Sequence, residues 1–147
     1  MAYPRRAICT VIAAFAMFAL LPGLLDAQKG SSDEKPSLSL RATPPVGFTP
    51  LRVRLVVDVR GGSDGYAEFY CPTIEWDWGD GTVSENSSDC DPYEAGKSTI
   101  RRRFSAEHVY RQEGNFKTVF RLKQKSRLVG TASVGVQVRP GAGEGFR

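Results

Sequence analysis

The chain has 147 residues, 20 of them basic and 16 acidic, for a net charge of +4. That is room for one ordinary domain beside a targeting segment. A charge so small and so dispersed does not announce a nucleic-acid binder. With one histidine and three cysteines, no zinc-ligand spacing is present, and no cofactor is implied.

The N-terminus reads as a secretory signal peptide over 1–27. Arg5 and Arg6 precede an uncharged apolar run, "AICTVIAAFAMFALL", which Pro22 and Gly23 break ahead of the small residue Ala27. The alternative is a signal anchor, because the uncharged stretch from Ala7 to Leu25 approaches the roughly 20 residues that span a bilayer. Cleavage leaves no stable membrane anchor and places the protein outside the cytoplasm, secreted or periplasmic. Cys9 lies within this segment, preceded by "PRRAI" with most of the apolar stretch after it, and is no lipid-attachment cysteine. Residues 28–36, "QKGSSDEKP", are small, polar and charged without periodicity, the composition of a flexible linker.

Alternation with period two then dominates. "SLSLRA" (37–42) is a short candidate strand. "LRVRLVVDVR" (51–60) sets Leu51, Val53, Leu55, Val57 and Val59 against Arg52, Arg54, Asp58 and Arg60, a strand with one buried and one wet face. "TIEWDW" (73–78), "TVSE" (82–85) and "TIRRRFSAEHVY" (99–110) follow. "FKTVFRLK" (116–123) and "TASVGVQV" (131–138) close the series. About seven strands separated by turn residues, with no credible helix after residue 27, specify an all-β sandwich. Cys71 and Cys90 are an even pair in an exported chain and are expected to form a disulfide, two free thiols being the alternative.

The stretch "EWDWGDG" (75–81) concentrates two tryptophans, three acids and two glycines. Trp76 and Trp78 share parity and face one way along a strand. Gly79 and Gly81 permit positive φ, and Asp80 between them can bond back to the backbone, so the segment is a tight turn into a hairpin. Three sharper readings compete. Glu75, Asp77 and Asp80 could supply a carboxylate pair for glycoside hydrolysis, which requires two acids across a cleft, one with a raised pKa. No cleft-forming insertion accompanies them. Asp77, Asp80, Asp89 and Asp91 could gather around calcium if the disulfide draws their loops together. His108, without a nucleophile or oxyanion hole, is expected to be a strand-end residue bonded to backbone.

"WDWGDG", followed by "HVY" (108–110), "EGNF" (113–116) and an alternating last strand, resembles the PKD domain, as does "GFTPLRVRL" (47–55) ahead of the second strand. The resemblance covers about Leu38 to Val138, with Trp78 and Phe116 departing from the usual Phe and Tyr. It implies an immunoglobulin-like (PKD-type) sandwich in which Trp76 is core, and Asp77, Gly79, Asp80 and Gly81 build the turn. His108, Tyr110 and Gly114 then mark a strand end and the turn that follows. The chain divides into a signal peptide (1–27), a linker (28–36), a PKD-like domain (37–139) and a disordered tail (140–147).

Such domains are extracellular binding or spacer modules, so a non-catalytic partner role is expected, with a protein or polysaccharide and not nucleic acid. The rival is a spacer or assembly subunit of the cell envelope that presents an edge strand; a calcium module ranks third. Tyr66, Phe69 and Tyr70 in "DGYAEFY" (64–70) are the candidate ligand surface, unless they fill the core below their loop. Arg52, Arg54, Lys117, Arg121 and Lys123 could form a basic sheet face for an acidic glycan, lipopolysaccharide or nucleic acid if their strands adjoin; the expectation is a solvated, aggregation-resisting face of a sheet. "NSS" (86–88) fits an N-glycosylation acceptor.

Overall fold

The computed structural model describes residues 34–141. The expected signal peptide with Cys9, the linker up to residue 33 and the tail beyond residue 141 lie outside the described residues. Among those described, no helix is long and apolar enough to cross a membrane.

Eight strands form two sheets: β1 (Ser37–Thr43), β2 (Val46–Phe48), β3 (Leu51–Arg60), β4 (Thr73–Asp77), β5 (Val83–Asn86), β6 (Arg103–Tyr110), β7 (Gly114–Gln124) and β8 (Arg127–Arg139). One sheet has the order β1-β3-β6 and the other β2-β8-β7-β4-β5. Every pair is antiparallel except β2 with β8, which run parallel with Val46 opposite Gln137. The chain therefore changes sheets at Pro44–Pro45, leaving β1 on one layer and laying β2 on the other. This is the all-β sandwich that the alternation predicted, in the immunoglobulin-like form that the resemblance implied.

The core is the sum of the alternating faces. Leu51, Val53, Leu55, Val57 and Val59 are buried on β3, while Phe120 and Leu122 of β7, and Val136 and Val138 of β8, are buried opposite. Phe104 of β6 meets Phe120 across the layers, ring centroids 5.6 Å apart, and Trp76 packs edge-on against Phe120 at 4.8 Å. Sheets bury one face each, so each inward set finds its partner only on the other layer.

Three details depart from the sequence reading. Strand β2 is additional, because a three-residue edge segment flanked by prolines carries too little alternation to register. A single 3-10 turn spans Ala67–Phe69 where no helix was expected. Strand β6 starts at Arg103 rather than Thr99. Ahead of it Ile100 N donates to Asp64 Oδ1 at 3.1 Å and the Arg102 side chain donates to the carbonyls of Gly61 and Gly62, while the Arg102 carbonyl still accepts the Val59 N–H at 2.8 Å.

Cys71 and Cys90 form the expected disulfide, closing a sequence separation of 19. It ties the start of β4 to the segment after β5. Replacing both cysteines with serine is expected to lower unfolding stability by about 3 kcal/mol, the loop-closure entropy of some twenty residues. Urea denaturation beside a thiol titration of the unreduced, denatured chain checks this; two reactive thiols there would show that the bridge does not form in solution.

Candidate functional site

Two regions concentrate polar chemistry. The first is the corner built by the double-tryptophan motif. Trp76 and Trp78 are both buried and stack in parallel, centroids 5.6 Å apart. The strand then turns: Trp78 N donates to Thr82 O at 3.1 Å, and Gly79 and Gly81 take φ of +79° and +88°. Gly79 is required twice over, since a Cβ there would lie 2.7 Å from the Lys117 carbonyl oxygen. Asp77 Oδ1 accepts the Gly79 N–H, and Asp80 Oδ1 accepts both the backbone N–H and the hydroxyl of Thr82.

The same turn is held from the other sheet. His108 Nε2 lies 2.6 Å from Asp80 Oδ2, and its ring stacks on Trp78 at 4.5 Å. His108 is thus bonded to a carboxylate and not, as expected, to backbone, because the turn swings Asp80 over β6. Tyr110, fully buried, donates its hydroxyl to Trp78 O at 3.0 Å and sits 2.7 Å from Thr118 Oγ1. Burial pushes the Tyr110 phenol up from its ordinary range, so it stays a neutral donor. Gly114 opens β7 at φ +153°, and a Cβ there would lie 3.2 Å from the Phe116 ring. A cleft of about 310 Å³ lies alongside, walled by Asp80, Thr82, His108, Tyr110, Arg111 and Phe116.

These contacts bear on the sharper readings. Burial would raise the Asp80 carboxyl, yet the hydrogen bonds from Thr82 and His108 outweigh it and hold the pKa below its usual value. Glu75 is held low as well, by hydrogen bonds from Lys123 and Arg121 working against burial. Neither is the raised, protonated acid that glycoside hydrolysis needs. Among the described residues no three His, Cys, Asp or Glu side chains converge on a metal-sized point. Asp77 faces Arg121 instead, and Asp80 faces His108, so the four aspartates considered for calcium are not gathered.

The second region lies around the disulfide. Asp64 organises it: its backbone oxygen accepts the Tyr93 hydroxyl at 2.9 Å, and its carboxylate accepts the Ile100 N–H and the Arg102 guanidinium. Two loops are thereby laced together, and the Cys71–Cys90 bridge locks them. Tyr70 stands edge-on to Tyr93 with centroids 5.5 Å apart. It walls two adjoining hollows. One, about 140 Å³, has Ile74, Asn86, Ser88 and Arg101 around it; the other, about 340 Å³ and wider, has Asp91, Glu94, Lys97 and Ser98.

The three aromatics proposed as a ligand surface are not equivalent. Phe69 is buried, 2% exposed, and belongs to the core; Tyr66 is half-buried against it. Tyr66 caps the turn from outside it and, like Tyr70, is half-buried against the core. Only Tyr70 also lines the hollows. The five cations weighed as one basic face do not adjoin. Arg52 and Arg54 lie on β3, while Lys117, Arg121 and Lys123 lie on β7 of the other sheet. There Arg121 binds Glu75 at 2.5 Å and Asp77 at 3.3 Å, and Lys123 binds Glu75 and Glu85. Asn86 of the glycosylation signal is exposed at the end of β5. Sequence reasoning missed Asp64, Tyr93 and Arg102, whose partners are some 30 to 40 residues away along the chain.

No family model matches the chain, nor does any curated protein sequence. Among solved structures, the backbone is similar to the PKD domain of an M14-like peptidase from a Thermoplasmatales archaeon, with 14% identity and a TM-score of 0.49 over 73% of this chain and 98% of that one. It is also similar to a superoxide reductase (neelaredoxin) from Ignicoccus hospitalis, with 15% identity and a TM-score of 0.42 over 76% of this chain and 87% of that one. Both are likenesses of fold.

Two outcomes follow from the corner. Tyr110→Phe is expected to cost about 2 kcal/mol by leaving the buried Trp78 carbonyl without its donor; chemical denaturation measures it. The Asp80 carboxyl is depressed in the folded state, so its contribution is fully present above the unfolded value, near pH 3.9, and is lost as pH falls through the folded one. Asp80→Asn should therefore destabilise by about 2 kcal/mol at neutral pH, with the gap to the parent closing below about pH 4. A gap that stays constant in acid would remove the carboxylate from this account.

Proposed function

We propose that the chain is an exported, non-catalytic recognition module that takes a protein or polysaccharide partner at the hollows around Tyr70. The observation that carries this is the position of that ring as a shared wall of two adjoining depressions. An aromatic with an apolar body and a polar tip serves recognition well at little entropic cost. The flanking groups, Asn86, Ser88 and Arg101 on one side and Asp91, Glu94 and Lys97 on the other, offer donors and acceptors to a polar ligand. The disulfide and the Asp64 contacts hold both loops before a ligand arrives, which lowers the ordering cost of binding. A disulfide also suits an oxidising, extracytoplasmic compartment.

The spacer or assembly reading has its own support. Strand β5 is an edge of the five-stranded sheet; all four of its residues are exposed, and Val83 is 59% exposed. Such an edge can accept a further strand.

A glycan array and a pull-down with the full chain, run beside Tyr70→Ala, separate the two. The recognition reading expects a ligand whose binding falls by about tenfold or more in the variant, a loss typical of an aromatic anchor. A ligand that the variant binds equally well moves the site elsewhere. Absence of any ligand, together with self-association that a proline in β5 abolishes, favours the assembly subunit.

A further inference from the structure

The three-stranded sheet turns a face to solvent whose character is not visible in any one strand. On β3 the residues pointing away from the core are Arg52, Arg54, Val56, Asp58 and Arg60. The register sets Arg41 of β1 beside Val56, and Arg103 and Glu107 of β6 beside Asp58 and Arg54. Five arginines share this face with two carboxylates. Asp58 is bonded by both Arg41 and Arg103, at 2.5 and 2.7 Å, and Glu107 meets Arg52 at 3.5 Å. Among the described residues Arg54 and Arg60 have no ion-pair partner, and both are exposed.

The five-stranded sheet differs. Its Arg121 and Lys123 are paired with Glu75, Asp77 and Glu85. It also exposes Lys117, Arg127 and Arg139, so its five cations against three carboxylates come close to the five against two of the other layer; what sets the three-stranded layer apart is that its cations are all arginine. A guanidinium presents a planar fork of donors that matches carboxylate, sulfate and phosphate oxygens, which an ammonium does not. Alternate residues of a strand are about 7 Å apart and neighbouring strands about 5 Å, so the forks stand as a shallow two-dimensional array. Ser37, Ser39, Thr43 and Ser105 sit among them on the same face and can hydrogen-bond hydroxyls.

We infer that this arginine face binds an acidic polysaccharide, an extended chain whose anionic groups recur along its length. The face carries no aromatic side chain on which a nucleic-acid base would stack. Its apolar members, Val56 and Val109, are half-buried, so nothing projects to enter a lipid layer. This surface and its ligand class are additional to the Tyr70 hollows and do not depend on them.

The test is affinity electrophoresis and calorimetry of the full chain with polygalacturonate, heparin, neutral dextran, a single-stranded oligonucleotide and anionic phospholipid vesicles, at rising salt. One variant carries Arg52→Ser, Arg54→Ser and Arg60→Ser. The controls are Lys117→Ser, which removes an exposed cation from the other sheet, and Tyr70→Ala. Near-ultraviolet circular dichroism verifies folding of each.

The expected result is binding to polygalacturonate or heparin but not to dextran, weakening steadily with salt. The arginine variant should lose about tenfold or more in affinity, and both controls should stay within about twofold. Failure of both acidic polysaccharides to bind overturns the inference. So does tighter binding of the oligonucleotide or the vesicles, or an equal loss in the arginine and Lys117 variants. Loss in Tyr70→Ala alone would assign the ligand to the hollows and leave the arginine face without one.

Discussion

The hydroxyl of Tyr110 lies in the core with two partners, the carbonyl of Trp78 and the hydroxyl of Thr118. Tyr110 belongs to the three-stranded sheet, and its partners lie at the end of β4 and on β7 of the five-stranded sheet. Apolar contact alone holds two layers together without fixing how they are aligned. A directional hydrogen bond buried between them does fix it, because any slip leaves three polar groups unpaired in a low-dielectric interior. His108, two residues earlier, repeats the tie nearer the surface through Asp80 and its stack on Trp78. The turn at Gly79 must bring the backbone close to Lys117 for these contacts to exist, which is why no side chain fits there.

With the layers aligned, the remaining chain is free to differentiate the ends and faces. At the end where β4 begins, the loops after β3 and β5 are long and have no ladder of their own, so other bonds must hold them. Asp64 supplies three of these, Arg102 reaches back to Gly61 and Gly62, and the disulfide adds a covalent one. Irregular loops held this firmly are suited to recognition, since ligand binding does not have to order them first. The corner at Trp78, by contrast, uses its polar groups on one another.

The two solvent faces differ in the cations they carry. On the five-stranded sheet, Glu75 and Asp77 of β4 pair with Arg121 of β7, and Lys123 reaches Glu75 and Glu85, while Lys117, Arg127 and Arg139 have no ion-pair partner among the described residues. On the three-stranded sheet the cations are all arginine, they outnumber the carboxylates, and the surplus stands in water. The total charge of the chain conceals this difference, because it counts lysine and arginine alike.

The sequence by itself determined the strands and their inward faces. Period-two alternation in β3, β7 and β8 fixes which side chains are buried, whatever the partner, because a strand has only two faces. It also determined the tight turn at Gly79 to Gly81, where positive φ is a local requirement. The eventual partner of His108, the inward rotation of Phe69 and the separation of Arg52 and Arg54 from the lysines of β7 were decided only by the tertiary structure. Each depends on which strands adjoin, and on where a turn delivers a residue that is distant along the chain. Pairing order is set by the layers as a whole, and local pattern carries no record of it. For the same reason β2 was hidden: three residues between prolines become a strand only because β8 lies beside them.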